Sequence, residues 1–506
     1  MCGRCVGSWR SLEAAEPAIL VVVGSAQPND DVLTAALIAA LRQVIAPQRV
    51  LVSAFEKALY ANDASALAPS DPGVVVLPVS AEEVQACVRV ANSFDRAITP
   101  RGSGTGLAGG AVPLESPVVI VTAKMNRILS VDVDERMAWV EPGVLNLDLS
   151  KAVEKFGLHY APDPSSQQVC SIGGNVATNA GGPHCLAHGV TSAHIYAIEV
   201  VLPDGELSVL GGTAADFGGY DLRGLFVGSE GTMGIVTKIA VRLMVNPPAI
   251  RTLLADFTSI RDASAAVSSV IACGTLPAAL EMMDANCIKA VEPWAKAGLP
   301  MDAEAVLLIE IEGVPEGIEP SVAEIRDRCL SSGARTVRVA SSAEERALLW
   351  KARKSAFGAI ANLAPDYYLH DAVVPRSRLV EVMEKVIEIA ARYEIMVLNV
   401  FHAGDGNLHP LLVFDGRLPG MLDRVHQAGH EIVAACVAVG GTLSGEHGIG
   451  LEKRDLLPLV MTAAEMEHQA LVRRVFDPDG RWNPTKVLPS GAKCGELRRV
   501  PEGAWV

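Results

Sequence analysis

The stretch "PRGSGTGLAGGAVP" at residues 100–113 places Gly104, Gly106 and Gly109 in the spacing G-x-G-x-x-G. In dinucleotide folds that spacing turns a strand into a helix whose N-terminal amides receive a pyrophosphate. The flanks decide whether this applies here. Upstream, Val74 to Leu77 reads as a buried strand. A helix follows, with a Ser80/Glu83 capping box and with Val84, Cys87, Val88 and Ala91 on one face, and then a second short strand leads to Pro100. Downstream come Gly110, Pro113, Pro117 and "VVIV", so a new strand stands where the helix would have to be. That strand ends in Thr122 and Lys124, with no acid to hold a ribose. A Rossmann fold is therefore excluded. What remains is a strand-to-strand loop with five glycines in the nine residues 102–110. Its amides either wrap a phosphate as a nest or form a plain flexible turn.

The chain has 506 residues, half of them hydrophobic, enough for two or three domains with substantial cores. Its net charge of -15 argues against a nucleic-acid surface or an acidic membrane as partner and points to a small ligand. The early apolar run "AILVVVGSA" (18–26) is too short to span a bilayer, and Glu13 and Glu16 stand where a signal peptide carries positive charge. A cytoplasmic chain without a transmembrane span is expected. Of ten cysteines only Cys2 and Cys5 form C-x-x-C; the others read as reduced, packed thiols, and no closely spaced set of about four could hold an iron–sulfur cluster.

Glycine density and punctuation divide the chain into a lead-in (1–69), a glycine- and strand-rich part (70–247) that closes at "NPP", and a part where short strands alternate with amphipathic helices (248–440). A segment that returns to the style of the first part (441–488) and a tail (489–506) complete it. Two further segments resemble the opening loop: "APDPSSQQVCSIGGNVATNAGG" (161–182) and "GSEGTMGIVTKIAVRL" (228–243). The second feeds glycines into a strand with Ile235, Thr237, Ile239, Val241 and Leu243 on one face. One such loop is ordinary turn chemistry. Three together suggest an extended ligand with a diphosphate and a ring system.

"IMVLNVFHAGDGNLHPLLVF" (395–414) is two apolar runs joined through Asp405-Gly406, a two-residue hairpin signal. With those residues in the turn, His402 stands directly across from His409, roughly 4.5–5.5 Å apart at Cβ. Such a pair either grips one cation or is two half-buried histidines. "SGEHGIG" (444–450) adds a carboxylate, Glu446, beside His447 in a glycine-rich loop. On "SSAEERALLWKARKSAFGAI", a helix capped by Ser342/Glu345, Arg353 lies on the apolar side while Lys351 and Lys354 face solvent.

Taken together, "PRGSGTGLAGGAVP", "PDPSSQQVCSIGGNVATNAGG", "VVLPDGE", "GSEGTMGIVT", "FHAGDGNLHP", "SGEHGIG" and "FDPDGRWNPTKVLP" closely resemble the FAD-linked subunits of bacterial glycolate oxidase. These are D-2-hydroxyacid dehydrogenases of the vanillyl-alcohol-oxidase-like, PCMH-type flavoproteins. The resemblance runs from about residue 70 to residue 488. It implies an α+β fold: a PCMH-type FAD-binding domain of two α+β subdomains and a ferredoxin-like α+β cap. It implies FAD contacts at Arg101, Gly102, Ser103, Gly104, Thr105 and Gly106, at Pro162, and at Ser171, Ile172, Gly173, Gly174, Asn175, Thr178 and Asn179, with Glu230 and Ile235 completing the set. Some relatives tether FAD through a histidine in the first loop; this loop has none, so dissociable FAD is expected.

The resemblance also makes His402, His409 and Glu446 ligands of a divalent metal, zinc before manganese. Beside such a metal His447 is the candidate base, because loss of hydride requires the hydroxyl proton to be removed, or else it merely hydrogen-bonds its loop; the resemblance favours Arg353 as the carboxylate clamp. The implied activity is oxidation of glycolate or a short D-2-hydroxy acid such as D-lactate. Leu369 and Leu411, read as an apolar lining, disfavour a second carboxylate. The alternatives are a non-catalytic flavoprotein subunit and a flavin-free metal hydrolase. Because the chain lacks iron–sulfur ligands, electrons must leave to a separate acceptor. The resemblance implies a second flavoprotein subunit and an iron–sulfur subunit, docked at the inner membrane, whereas relatives acting alone use a soluble carrier. The sequence leaves both arrangements open.

Overall fold

The apolar run Val74–Val76 forms a wholly buried strand, and Ser80 caps the helix Ala81–Ser93 by accepting the Glu83 amide at 3.3 Å. That helix buries Val84, Cys87, Val88 and Ala91. Glu83 does not close a reciprocal box, because its carboxylate takes the Val79 amide and pairs with Arg49. The computed structural model describes residues 30–214, 218–360 and 362–489. In it, Val74–Val76 and Ile98–Arg101 each run parallel to Val118–Val121 in a four-stranded sheet. Residues 102–117 link the last two strands with no helix, so the glycine fingerprint does open a loop and not a Rossmann helix. The terminal C-x-x-C and the apolar run at 18–26 lie outside the described residues. Among the described residues no helix is long and apolar enough to cross a membrane.

A second, antiparallel sheet of five strands has Ile195–Val201 and Ile235–Arg242 in its interior. Ile235, Thr237, Ile239 and Val241 are buried as their alternation requires, and Ala240 between them is buried as well.

The largest sheet has nine strands, with Ala249–Phe257, Ala305–Gly313, Ala279–Asp284 and Met396–His402 adjacent at its centre. Its strands are continuous apolar runs because both faces are covered. Leu307, Ile309 and Ile311 face one core with the helices Ile260–Ala272, Ile318–Ser331 and Leu379–Arg392; Val306 and Leu308 face the other with Ala285–Ala295 and Ala343–Lys354.

Residues 482–486 pack on the first sheet. Trp482 joins its core, Asn483 donates to the carbonyls of Gly110 and Glu230, and Lys486 donates to that of Val112. The 161–182 segment meets the large sheet through His184, which lies 2.9 Å from Asp163 and 3.1 Å from Glu310. Glu310 also accepts from Arg346, Trp350 and Thr252. Burial opposes the charged imidazole, but Asp163 and Glu310 outweigh it and raise His184 to about 10. Glu312 completes a His184–Glu310–Glu312 group, but with Glu310 saturated by protein donors this cluster reads as a join between two parts of the chain.

Candidate active site

The three glycine loops converge on one cleft of about 480 Å³, inside the ~300–1,000 Å³ range of ligand sites. Arg101, Gly102, Ser103, Gly104, Thr105 and Gly106 line it, with Ser171, Gly173, Gly174, Asn175 and Thr178 from the second loop and Glu230 and Ile235 from the third. Pro162, Ile172 and Asn179 do not line it. The Pro162 carbonyl accepts the Asn146 side chain, Ile172 is core, and Asn179, left-handed at φ 52°, ends the helix Ile172–Thr178. Glycine is required at Gly104, whose φ is +74° and where a Cβ would run into the Arg101 guanidinium. At Gly106 a Cβ would meet only Asp63, 3.8 Å away, so the absent side chain leaves cleft volume free. Glu230 Oε2 is buried without a hydrogen-bond partner. A backbone-walled cleft with such a carboxylate fits a large polar cofactor approached closely by main chain. Asp63 and Ala64 also line the cleft. They fall in the lead-in, where no glycine pattern marked them.

The histidine hairpin forms with a different register from the expected one. His402 pairs with Asn407 and Asn399 with Pro410, so Ala403–Gly406 is a four-residue turn. Only Gly406 has positive φ, at 78°, whereas the two-residue turn of the NG/DG type needs it at both central residues. The shift is two residues, which preserves the face. His402 and His409 therefore meet diagonally, their ring centroids 4.9 Å apart. Glu446 Oε1 lies 3.2 Å from His402 Nε2 and 3.3 Å from His409 Nε2. Tetrahedral ligands at ~2.0–2.1 Å from one ion stand roughly 3.3 Å apart, so these spacings suit a shared cation. His409 is 2% exposed, and neither ring nitrogen makes a hydrogen bond. His402 is oriented from behind by Glu281, its cross-strand partner, at 2.8 Å from Nδ1.

His447 and Glu446 line the cleft together with His409. The His447 ring stacks on His409 with centroids 5.1 Å apart; its Nε2 is 3.5 Å from Glu446 Oε1 and its Nδ1 3.8 Å from Asp371 Oδ2. Burial lowers this imidazole, yet Asp371 and Glu446 together raise it above its ordinary value.

Arg353 is on the apolar side of Ala343–Lys354, as expected, and is fully buried. Its Nε and Nη2 lie 2.6 Å from Glu281 Oε2, and its Nη1 has no hydrogen-bond partner. It is absent from the cleft wall. Lys354, expected in solvent, is on that wall with Phe357 and Tyr367. Leu369 and Leu411 are paired across neighbouring strands inside the core and do not line the cleft. The premise that they restrict substrate size is therefore removed: strand alternation turned both side chains inward.

A glycine-walled cleft that opens onto a histidine–carboxylate group fits a large polar cofactor held beside a reacting centre. The chain superposes on 4-ethylphenol oxidase from Gulosibacter chungangensis with a TM-score of 0.76 at 20% identity, covering 92% of this chain and 99% of that one. On p-cresol methylhydroxylase with substrate bound the TM-score is 0.74 at 16% identity, over 91% and 98%. These likenesses give the PCMH-type fold alone. An FAD binding domain model matches residues 72–211, and the C-terminal domain model of FAD linked oxidases matches 246–487. The chain belongs to the FAD-linked oxidase family. It is 44% identical to the glycolate oxidase subunit GlcD of Escherichia coli K12 over 92% of this chain and 94% of the relative, and 40% identical to GlcD of Bacillus subtilis 168 over 90% and 97%. It is 34% identical to D-lactate dehydrogenase of Anaerostipes hadrus over 88% and 95%.

Proposed function

We propose that this chain oxidises glycolate or a short D-2-hydroxy acid such as D-lactate to the 2-oxo acid, using dissociable FAD and passing the electrons to a separate acceptor. The observation that carries this reading is that a single cleft is lined both by the glycine loops and by His409, Glu446 and His447. The named activities of the GlcD and D-lactate dehydrogenase relatives support the substrate class. A purely assembling subunit would have no need of a filled ligand triad. We read residues 70–247 as the FAD-binding domain, 248–440 as the cap and 441–488 as the segment that returns to the flavin.

FAD lies along Arg101–Gly106, Ser171, Gly173, Gly174, Asn175, Thr178, Glu230 and Ile235 in this reading, and residues 101–110 contain no histidine or cysteine to tether it. When bound, the flavin supplies the hydride acceptor. His402, His409 and Glu446 would hold a divalent cation, zinc ahead of manganese, whose Lewis acidity favours the substrate alkoxide. His447 accepts the hydroxyl proton as the hydride leaves the α-carbon, so the substrate loses one proton and one hydride. A Glu446 engaged by a dication attracts the imidazolium less, which favours the neutral base. Arg353 takes the substrate carboxylate, supported by its partnerless Nη1, since a buried guanidinium arm without an acceptor is costly unless a ligand completes it. Lys354 is the second candidate because it lines the cleft. Partner subunits that carry the electrons onward agree with the relatives' description as a glycolate oxidase subunit.

Turnover with an artificial acceptor dye tests the assignment. Glycolate and D-lactate should give stoichiometric 2-oxo acid, with L-lactate far slower. Absence of 2-oxo acid from every short 2-hydroxy acid would overturn it.

A further inference from the structure

The loop Ser444–Gly450 has no regular secondary structure, yet it carries both Glu446 and His447. Two buried carboxylates from distant parts of the chain hold it. Asp371 is fully buried between the short strands Asp366–Leu369 and Ala372–Val373. Its Oδ1 accepts the Gly445 amide at 2.9 Å. Its Oδ2 accepts the Ser444 hydroxyl at 2.6 Å and the amides of His447 at 2.9 Å and Glu446 at 3.3 Å, with Lys453 Nζ also at 3.3 Å. Glu230 reaches the other half of the loop from the third glycine turn. Its Oε1 accepts the amides of Ile449 at 2.7 Å and Gly450 at 3.1 Å. Gly448, at φ +86°, sits between the two clasps, and a Cβ there would lie 2.7 Å from Glu230 Oε1. A Cβ at Gly445 would run into the Asn407 amide of the histidine hairpin. The glycines thus let the loop close on both carboxylates at once.

We propose that Asp371 and Glu230 are a pair of positioning residues that register Glu446 and His447 against the hairpin histidines on one side and the flavin cleft on the other. The inference deepens the proposed function, resting on its roles for Glu446 and His447. Hydrogen-bond chemistry makes the two carboxylates unequal in a testable way. Asp371 uses both oxygens as acceptors, so an amide at that position must turn an NH₂ toward a donor. Toward the loop Glu230 uses one oxygen only, so a glutamine can keep its Oε1 on both loop amides and turn its NH₂ toward the flavin cleft.

Hydrogen–deuterium exchange on the full-length flavoprotein, followed in peptides covering 443–451, reads this without reference to metal or turnover. D371N should lose protection at 444–447 by at least tenfold, E230A should lose it at 449–450, and E230Q, whatever it does to flavin affinity, should keep the protection at 449–450. S444A, which removes one donor to Asp371 and also the acceptor of the Gly448 amide, should give a smaller loss at 444–447 in the same direction and stands in if D371N does not fold. Zinc affinity of folded protein should fall at least tenfold in D371N; with zinc saturating, D371N should still lower kcat more than it raises KM. Wild-type exchange in both D371N and S444A, or equal loss in E230Q and E230A, would overturn the proposal. Failure of the wild type to bind any divalent metal would instead remove the metal reading, with the exchange pattern still deciding the carboxylates.

Discussion

His447 is held through its backbone amide by Asp371, and its ring stacks on His409 near Asp371 and Glu446. As the base, it is the residue whose loss should separate chemistry from binding. His447→Gln is expected to lower kcat by about 10²–10⁴-fold while flavin content, checked by absorbance, and metal content, checked by elemental analysis, remain. The two cations divide similarly. Arg353→Lys should raise KM for glycolate strongly, since a point charge cannot reproduce the planar fork, whereas Lys354→Ala should change KM little; steady-state kinetics showing the reverse would transfer the clamp to Lys354. His447 and Arg353 could be singled out from residue type and motif. Asp371 could not, because its partners lie 73 to 82 residues further along the chain.

At the scale of elements, the hairpin carries the metal claim. His402→Ala should abolish turnover and metal retention but leave flavin bound, a result elemental analysis and a visible spectrum give together. Glu281, between His402 and Arg353, is the strut of the same strand pair. Glu281→Ala leaves Arg353 buried without its partner, at a cost of roughly 3–5 kcal/mol, and denaturant unfolding should show it. The two histidine-bearing strands were legible because their apolar runs and the Asp405-Gly406 pair are local signals. Their register was not, since whether Asp405 adopts positive φ is set by the surrounding sheet and not by the dipeptide. The glycine loops were readable for the opposite reason: a failed fingerprint, with a strand in place of the helix, is itself a local pattern. Burial of Leu369 and Leu411 depended on which face of a two-sided sheet each strand presents, which apolar content alone does not reveal.

For the whole molecule, stability and electron flow follow from the same packing. His370 is buried under Gly429 with neither ring nitrogen hydrogen-bonded. Burial, with Lys453, His430 and His426 adding to it and Asp371 opposing, lowers it to about 3. Its folded pKa lies below the ordinary value of 6.5, so the unfolded chain binds the extra proton between those limits. Its contribution to stability is therefore present above pH 6.5 and is lost as pH falls toward 3, at up to about 1.4 kcal/mol per pH unit. His370→Gln should flatten that part of the stability profile, measured by urea unfolding from pH 7 to 4. The described residues hold no membrane-crossing helix, and the sequence offers no closely spaced cysteine set for a cluster. Transfer of the electrons to a separate acceptor, as proposed, predicts that substrate-reduced protein reoxidises slowly in air-saturated buffer and quickly with a dye; stopped-flow reoxidation by oxygen as fast as reduction would make the chain a self-sufficient oxidase.

The central claim is that a 2-hydroxy acid in this cleft delivers its hydride to FAD. An anaerobic absorbance titration with glycolate and D-lactate tests it most directly. The purified chain should be yellow, and either substrate should bleach the visible flavin band with formation of one 2-oxo acid per flavin. A yellow protein that no 2-hydroxy acid bleaches, or a colourless protein that takes up no FAD, would contradict it.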